Sequence, residues 1–127
     1  MRKKAVRAPA MSSSIFVIVA LRNVNERMGT AQAGLKIIVV GSVTVRWEAA
    51  YAAEWSIAVS DDEENWTTVA ERKDGQGGVE TLDALGVAGR CLRLDCLRPG
   101  PFGLYSLWEI EVAAPDGRDL VAAIRRR

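Results

Sequence analysis

Apolar and polar residues alternate along residues 43–68, and this pattern predicts the centre of the fold. Two sets of three apolar residues recur at every second position: Val43, Val45 and Trp47, then Trp55, Ile57 and Val59. A period of two is typical of strands with one buried face. Because a strand–loop–strand unit of this size cannot bury that face alone, the rest of the chain must provide a second sheet.

Further short apolar runs, separated by turn residues, predict an all-β chain. They cover residues 15–21, 35–40, 66–70, 79–85, 90–97 and 105–113, with 120–124 as an edge strand or a short helix. In the last long run we expect Trp108, Ile110 and Val112 to face the core, and we assign Trp66 to the core as well. Since no segment keeps a helical period over three turns, the pattern favours a sandwich or a barrel.

The length of the chain, 127 residues, indicates one domain. We divide it into a basic N-terminal tail (1–11), a β-sandwich (12–114) and a C-terminal turn with a basic tail (115–127). The apolar run 15–21 follows basic residues and is too short to span a bilayer. We interpret it as a first buried strand, with a secretion signal as the alternative.

Charge and residue types exclude several kinds of chemistry. Seventeen basic and sixteen acidic residues nearly cancel, which favours neither nucleic acid nor an anionic membrane as a partner. The absence of histidine excludes a His-based triad and a His-containing zinc site. The two cysteines, Cys91 and Cys96, have an odd separation and would lie on opposite faces of a strand, so we expect buried free thiols. The consecutive carboxylates at 61–64 are interpreted as a solvated turn.

Several motifs in order resemble the discoidin (coagulation factor V/VIII C-type) family, and most closely its bacterial family-32 carbohydrate-binding modules. They are Trp47-Glu48-Ala49-Ala50-Tyr51, Trp55-Ser56-Ile57-Ala58-Val59-Ser60-Asp61-Asp62, Asn65-Trp66-Thr67, Gly75-Gln76-Gly77-Gly78, Gly89-Arg90-Cys91-Leu92-Arg93-Leu94 and Tyr105-Ser106-Leu107-Trp108-Glu109-Ile110-Glu111-Val112. The resemblance implies a jelly-roll β-sandwich of the galactose-binding-like type. It further implies a secreted or cell-surface module that binds a poly- or oligosaccharide and is attached to, or associated with, a glycoside hydrolase.

Such modules bind sugars at loops at one end of the sandwich, and here these are residues 48–54 and 98–105. A sugar site needs an aromatic face and groups that form paired hydrogen bonds with hydroxyls. Glu48 would accept from hydroxyls or from an amino group, and Arg98 would donate in a fork. Tyr51, Phe102 and Tyr105 are the candidates for stacking. The competing interpretation pairs Glu48 with Arg98 on the surface and places the two tyrosines at the core.

The resemblance also implies a structural calcium ion near the first loop, held partly by Glu109. In that family the loop contains an Asp-Gly pair and ends in Thr-Arg-Trp. In this chain it reads Asn25-Glu26-Arg27-Met28-Gly29-Thr30-Ala31-Gln32, so the Asp-Gly pair is absent and Thr30 is not followed by arginine and tryptophan. We therefore predict no cofactor, with structural calcium as the alternative.

Together these observations predict a carbohydrate-binding module that is not an enzyme. The second hypothesis is an adhesion module that uses the same loops on a protein or membrane surface. Exposed apolar residues at the loop tips would favour it, and Phe102, Leu104 and Phe16 are the candidates.

Overall fold

The computed structural model describes residues 6–9, 15–22, 38–83 and 85–126, and every regular element in these ranges is a β-strand. The strands are β1 (Val6–Pro9), β2 (Ile15–Leu21), β3 (Val39–Val40), β4 (Ser42–Trp47), β5 (Ala52–Ser60), β6 (Thr67–Arg72), β7 (Val79–Leu82), β8 (Val87–Ala88), β9 (Cys91–Pro99), β10 (Leu104–Ala113) and β11 (Val121–Arg126). The loop 25–32 and the first part of the run 35–40 lie outside the described residues.

Two antiparallel sheets face each other. The four-stranded sheet has the order β1-β10-β4-β7, and the five-stranded sheet has the order β11-β2-β9-β5-β6. Strands β3 and β8 form a separate two-stranded pair. The predicted all-β sandwich is confirmed, and the run Ile15–Leu21 is an internal strand between β9 and β11.

The core lies between the two sheets and follows the alternation seen in the sequence. Along β4 the residues Val43, Val45 and Trp47 are buried, while the residues between them are half-exposed. Each such aliphatic side chain contributes roughly 1.5–3 kcal/mol of transfer free energy on burial. The other strands supply matching apolar residues, among them Val17, Val19, Trp55, Ile57, Leu92, Leu94, Tyr105, Leu107, Ile110 and Val112.

Trp108 does not face the core, so the predicted position of this side chain is wrong. Strand β10 changes register against β4 between Leu107 and Glu109, which is a β-bulge. Because a bulge adds one residue to one strand, it reverses which positions face inward. Leu107 is therefore buried before the bulge and Ile110 after it, while Trp108 is 38% exposed on the outer face.

Trp66 is not in the core either, and again a register shift is the reason. The pairing of β6 with β5 shifts between Ile57 and Ala58, so that Thr68 lies opposite Ala58. Trp66, two residues before Thr68, lies on the outer face of the five-stranded sheet. There its ring contacts Arg93, whose guanidinium carbon is 4.6 Å from the ring centroid.

Both predicted tails contribute a strand. Strand β1, within residues 1–11, pairs with β10, and β11, within residues 115–127, pairs with β2. Each forms an edge of its sheet, where only one side meets another strand. The edge strand given as one alternative for 120–124 is thereby confirmed by β11, whereas β1 was not predicted, because an edge strand needs no strict alternation of apolar residues.

The two cysteines are free and buried, as predicted. Cys96 packs in the core, and burial raises the pKa of its thiol to about 12. The Sγ atom of Cys91 lies 3.7 Å from Glu63 Oε2, and burial also raises the pKa of this thiol. Within the described ranges, no helix is long and apolar enough to cross a membrane.

The bulge in β10 predicts very different costs for two tryptophan substitutions. Trp108→Ala should lower the free energy of unfolding by less than about 1 kcal/mol, because the side chain is largely at the surface. Trp55→Ala should lower it by about 3–5 kcal/mol, because it empties a fully buried position. Urea denaturation followed by circular dichroism measures both, and equal losses would contradict the outward position of Trp108.

Candidate functional site

Three loops meet at one end of the sandwich, and each of them crosses from one sheet to the other. Residues 48–51 connect β4 to β5, residues 73–78 connect β6 to β7, and residues 100–103 connect β9 to β10. Backbone hydrogen bonds tie the loops to one another and to the strand ends: Gly100 N donates to Tyr51 O at 3.0 Å, and Gly75 N donates to Ala53 O at 2.8 Å. The two loops that the sequence analysis selected are therefore neighbours.

Tyr51 lies at the centre of this end. Its half-buried ring is flanked by backbone from the other two loops. A Cβ atom added at Gly77 would lie 2.6 Å from Tyr51 Cδ2, and one added at Gly100 would lie 2.9 Å from Tyr51 Cε1. Only glycine allows both backbones to approach the ring so closely, so the two glycines fix the position of the tyrosine.

The segment that begins at Glu48 is anchored on β10. Glu48 N donates to Ser106 O at 3.1 Å, and Ser106 N donates to Ala50 O at 2.6 Å. The buried Ser106 hydroxyl also accepts from Ala50 N at 3.3 Å. Glu48 is half-buried with its Oε1 atom inside the protein surface, and these backbone hydrogen bonds fix the start of the loop.

Arg98 is the penultimate residue of β9 and has a largely exposed side chain. Its Nε atom lies 3.6 Å from Glu54 Oε1, and its Nη2 donates to Lys73 O at 3.3 Å. The surface ion pair that Arg98 makes is therefore with Glu54, on the adjacent strand β5. Exposed ion pairs contribute little to stability, so the guanidinium can turn to an incoming ligand at small cost.

Phe102 is the most exposed aromatic residue of the described side chains at this end, with 63% of its surface accessible. It occupies a tight turn in which Gly103 N donates to Gly100 O at 3.3 Å and Gly103 has a φ of 68°. Pro101 precedes it and restricts the backbone further. The ring is thus presented on a stiff turn between β9 and β10, and Leu104, also exposed, lies two residues further along the chain.

Tyr105 is not available for stacking, in contrast to the expectation from the sequence. It is 2% exposed and belongs to the core, because it precedes the bulge on the inward positions of β10. Burial raises the pKa of its phenol, and the nearby Cys96 adds to the shift. Its hydroxyl has no hydrogen-bond partner in the described part of the chain.

Glu80 and Glu54 were not among the site residues expected from the sequence. The Glu80 carboxylate, which is buried, accepts from the backbone of this loop, with Gln76 N 2.7 Å from Oε2. The available signal was a lone glutamate in a short strand directly after Gly75-Gln76-Gly77-Gly78. Glu54 gave no comparable signal, because its role depends on pairing with the distant Arg98.

Of the residues implied in a structural calcium site, the structure describes Glu109, while the loop 25–32 lies outside the described residues. Arg46 Nε lies 3.3 Å from Glu109 Oε1, and Arg46 Nη2 lies 3.3 Å from Glu111 Oε1. The carboxylate that would help to hold calcium is therefore engaged by a guanidinium. Among the residues that the structure describes, no group of three or more His, Cys, Asp or Glu is placed to hold a metal ion.

The geometry at this end suits the binding of a polar molecule with apolar faces. It combines an exposed aromatic ring, a guanidinium that can donate two parallel hydrogen bonds, and carboxylates that accept from hydroxyl or ammonium groups. The side chains involved are Glu48, Tyr51, Glu54, Arg98 and Phe102. Phe102 has 63% of its surface exposed.

Comparison with known families supports the resemblance seen in the sequence. Residues 36–94 match the F5/F8 type C family model described as a NedA-like, galactose-binding domain. This stretch includes the loops 48–51 and 73–78 and ends before Arg98. The resemblance to the F5/8 type C family is thereby confirmed. No curated protein matches the chain significantly.

Solved structures similar to the chain are carbohydrate-binding modules. A mutant of chitosan-binding module 1 from a chitosanase/glucanase of Paenibacillus sp. IK-5 has 28% identity and a TM-score of 0.67, over 85% of this chain and 74% of that one. Module 2 of the same enzyme, in complex with chitotriose, has 32% identity and a TM-score of 0.56, over 60% of this chain and 61% of that one.

A more distant structure shares the fold alone. The family-32 module of AlyQ, in complex with 4,5-unsaturated mannuronic acid, has 14% identity and a TM-score of 0.59, over 85% of this chain and 75% of that one. The fold is therefore the galactose-binding-like β-sandwich expected from the sequence motifs.

The packing around Tyr51 predicts that Gly77→Ala is more destabilising than Gly117→Ala. Both glycines have positive φ, 80° and 94°, so alanine introduces backbone strain at each. Only at Gly77 does the new methyl group also meet the Tyr51 ring, whereas nothing lies within 4 Å at Gly117.

We expect Gly77→Ala to lower the free energy of unfolding by about 1–3 kcal/mol more than Gly117→Ala does. It should also shift the NMR signals of the Tyr51 ring, which Gly117→Ala should leave unchanged. Urea denaturation and two-dimensional spectra test this, and equal effects of the two substitutions would refute the contact.

Proposed function

We propose that this protein is a non-catalytic carbohydrate-binding module and that its site is the end formed by residues 48–51, 73–78 and 98–104. The observation that carries the proposal is that Phe102 and Arg98 are both exposed at the end of the sandwich where Gly77 and Gly100 hold Tyr51 in place. An aromatic ring binds the apolar face of a pyranose, while the guanidinium and the carboxylate form hydrogen bonds with its hydroxyls. The similarity to solved carbohydrate-binding modules supports this function.

The ligand class that we favour is an oligosaccharide of amino sugars. Two carboxylates, Glu48 and Glu54, lie at this end, and either can accept hydrogen bonds from an ammonium group as well as from hydroxyls. The modules at 28% and 32% identity are chitosan-binding modules, the second of them in complex with chitotriose, which agrees with this choice. Binding at such a shallow, solvent-exposed end would be weak for each site.

A module with low affinity is useful when it keeps a second protein bound to the same polymer. The similar modules come from a chitosanase/glucanase, and we propose that this chain likewise acts with a glycoside hydrolase, outside the cell, where such polymers occur. Binding would raise the effective concentration of the enzyme at its substrate without any new contact in the catalytic domain.

The apolar tip of the site favours a second candidate function. Phe102 and Leu104, which Gly103 separates in the sequence, are 63% and 43% exposed at this end of the sandwich. Exposed apolar pairs of this kind also occur in modules that adhere to protein or membrane surfaces. In that case wild type would bind to liposomes and Phe102→Ala would not. Added glycan would not displace wild type from the liposomes.

The proposed site predicts a loss of glycan affinity in variants of Glu48, Arg98 and Phe102. Glu48→Gln, Arg98→Ala and Phe102→Ala should each raise the Kd for chitotriose about tenfold or more, because each removes a charge-assisted hydrogen bond or a stacking surface. Isothermal titration calorimetry measures this, with cellotriose as the uncharged comparison ligand.

The matched control is Arg118→Ala. Arg118 is exposed to a similar extent as Arg98, 50% against 57% of its side chain, and it also forms a surface ion pair, with Asp116 at 2.9 Å. Its turn, residues 114–118, follows β10 and lies outside the three loops of the site. Affinity should stay within about twofold of wild type. Wild type that binds none of the glycans, or Arg98→Ala that binds as wild type does, would overturn the proposed site.

The Arg46–Glu109 pair predicts that calcium leaves the protein unchanged. We propose that no structural calcium is bound, so adding about 1 mM CaCl2 or EDTA should shift the Tm by less than about 1 °C. Differential scanning calorimetry in calcium-free buffer tests this. A rise in Tm that saturates with CaCl2 would show a calcium site and contradict the proposal.

A further inference from the structure

Glu80 is a buried glutamate that bridges the core and the candidate site. It is 7% exposed, and its Oε1 atom accepts from Trp47 Nε1 at 2.9 Å and from Trp55 Nε1 at 3.0 Å. The second oxygen, Oε2, accepts from Gln76 N at 2.7 Å. One oxygen is thus used by the core and the other by the loop 73–78.

The hydrogen bond to Gln76 acts on the site through the next residue of the loop. Gly77 follows Gln76 directly, and its Cα is close enough to Tyr51 that an added Cβ would lie 2.6 Å from the ring. Gly78 O then accepts from Trp47 N at 2.8 Å, which fixes the end of the loop to strand β4. The part of the loop that contacts Tyr51 is therefore held at Gln76 by Glu80 and at Gly78 by Trp47.

We propose that Glu80 is a positioning residue of the glycan site, which fixes the loop 73–78 against Tyr51 without touching the ligand. This inference rests on the proposed function for its effect on affinity, although its effect on the loop is independent of any ligand. A short hydrogen bond from a backbone N–H to a carboxylate is among the stronger hydrogen bonds in proteins. Gln76 itself is exposed, so this buried acceptor is what orders its backbone.

A glutamine at position 80 separates the two roles of the carboxylate. An amide has a single acceptor oxygen, whereas Glu80 receives three N–H donors on two oxygens. If the amide oxygen remains with the two indoles, the NH2 group faces the Gln76 N–H and that hydrogen bond is lost. The reverse orientation would lose two hydrogen bonds, so we expect Glu80→Gln to keep the indole contacts and to release the loop.

The test combines amide hydrogen exchange with glycan titration. In wild type the Gln76 amide should exchange slowly although it lies in an exposed loop, and in Glu80→Gln it should exchange about tenfold faster or more. The Kd for chitotriose should rise about tenfold in the same variant, with shifted NMR signals of the Tyr51 ring.

The control is Trp55→Phe, which removes one donor to Oε1 and leaves the Gln76 hydrogen bond in place. This variant should have a lower Tm, but its Gln76 exchange and its Kd should stay within about twofold of wild type. Equal losses of affinity in Trp55→Phe and Glu80→Gln would show that Glu80 acts only through stability and would overturn the inference.

Two further outcomes separate this inference from the proposed function. If wild type binds no glycan, the proposed function fails, and the Gln76 exchange rates still decide whether Glu80 holds the loop. If Glu80→Gln does not fold, wild type alone provides the measurement. Exchange of its Gln76 amide at the rate of an unstructured peptide would overturn the inference.

Discussion

The buried hydrogen bonds of Glu80 are the interaction on which the rest of this structure depends. Its carboxylate receives one indole N–H from β4 of the four-stranded sheet and one from β5 of the five-stranded sheet. The two indole rings meet edge to face, with centroids 5.9 Å apart and planes at 69°. A lone carboxylate in this core would be strongly destabilising, but three donors satisfy it, so the group joins both sheets and the adjacent loop in one network.

This network explains how a small sandwich holds the loops of the candidate site in place. Short backbone hydrogen bonds fix the three crossing loops to the ends of the strands. Glycines in two of these loops let the backbone pack directly against Tyr51. Exposed groups such as Arg98 and Phe102 then need little support of their own.

The outer face of the five-stranded sheet is covered differently: Arg93 lies between the rings of Phe16 and Trp66 and pairs with Asp95 at 2.8 Å. Trp47 and Trp55 therefore belong to the core network, while Trp66 covers the outer face of the sheet.

Much of the fold was predictable because alternation reports burial directly. Strand β4 and the start of the core follow from the spacing of Val43, Val45 and Trp47. The errors for Trp66 and Trp108 share one cause, which is a β-bulge that reverses the inward face partway along a strand. A bulge is set by the register of the neighbouring strand, so the local pattern around each tryptophan contains no sign of it. The edge strands β1 and β11 were missed or left open for a related reason, since their pairing partners lie far away in the chain.

By itself, the sequence determined the class of fold, the resemblance to a family and the two loops in which Glu48, Tyr51, Arg98 and Phe102 occur. Those features depend on periodicity and on short motifs, which are local. Only the tertiary structure decided that Tyr105 is buried, that Arg98 pairs with Glu54, and that Glu80 connects two tryptophans to the loop 73–78. Each of these depends on contacts between residues far apart in the chain. Side-chain burial and hydrogen bonding at such contacts are set by strand register, which hydropathy does not encode.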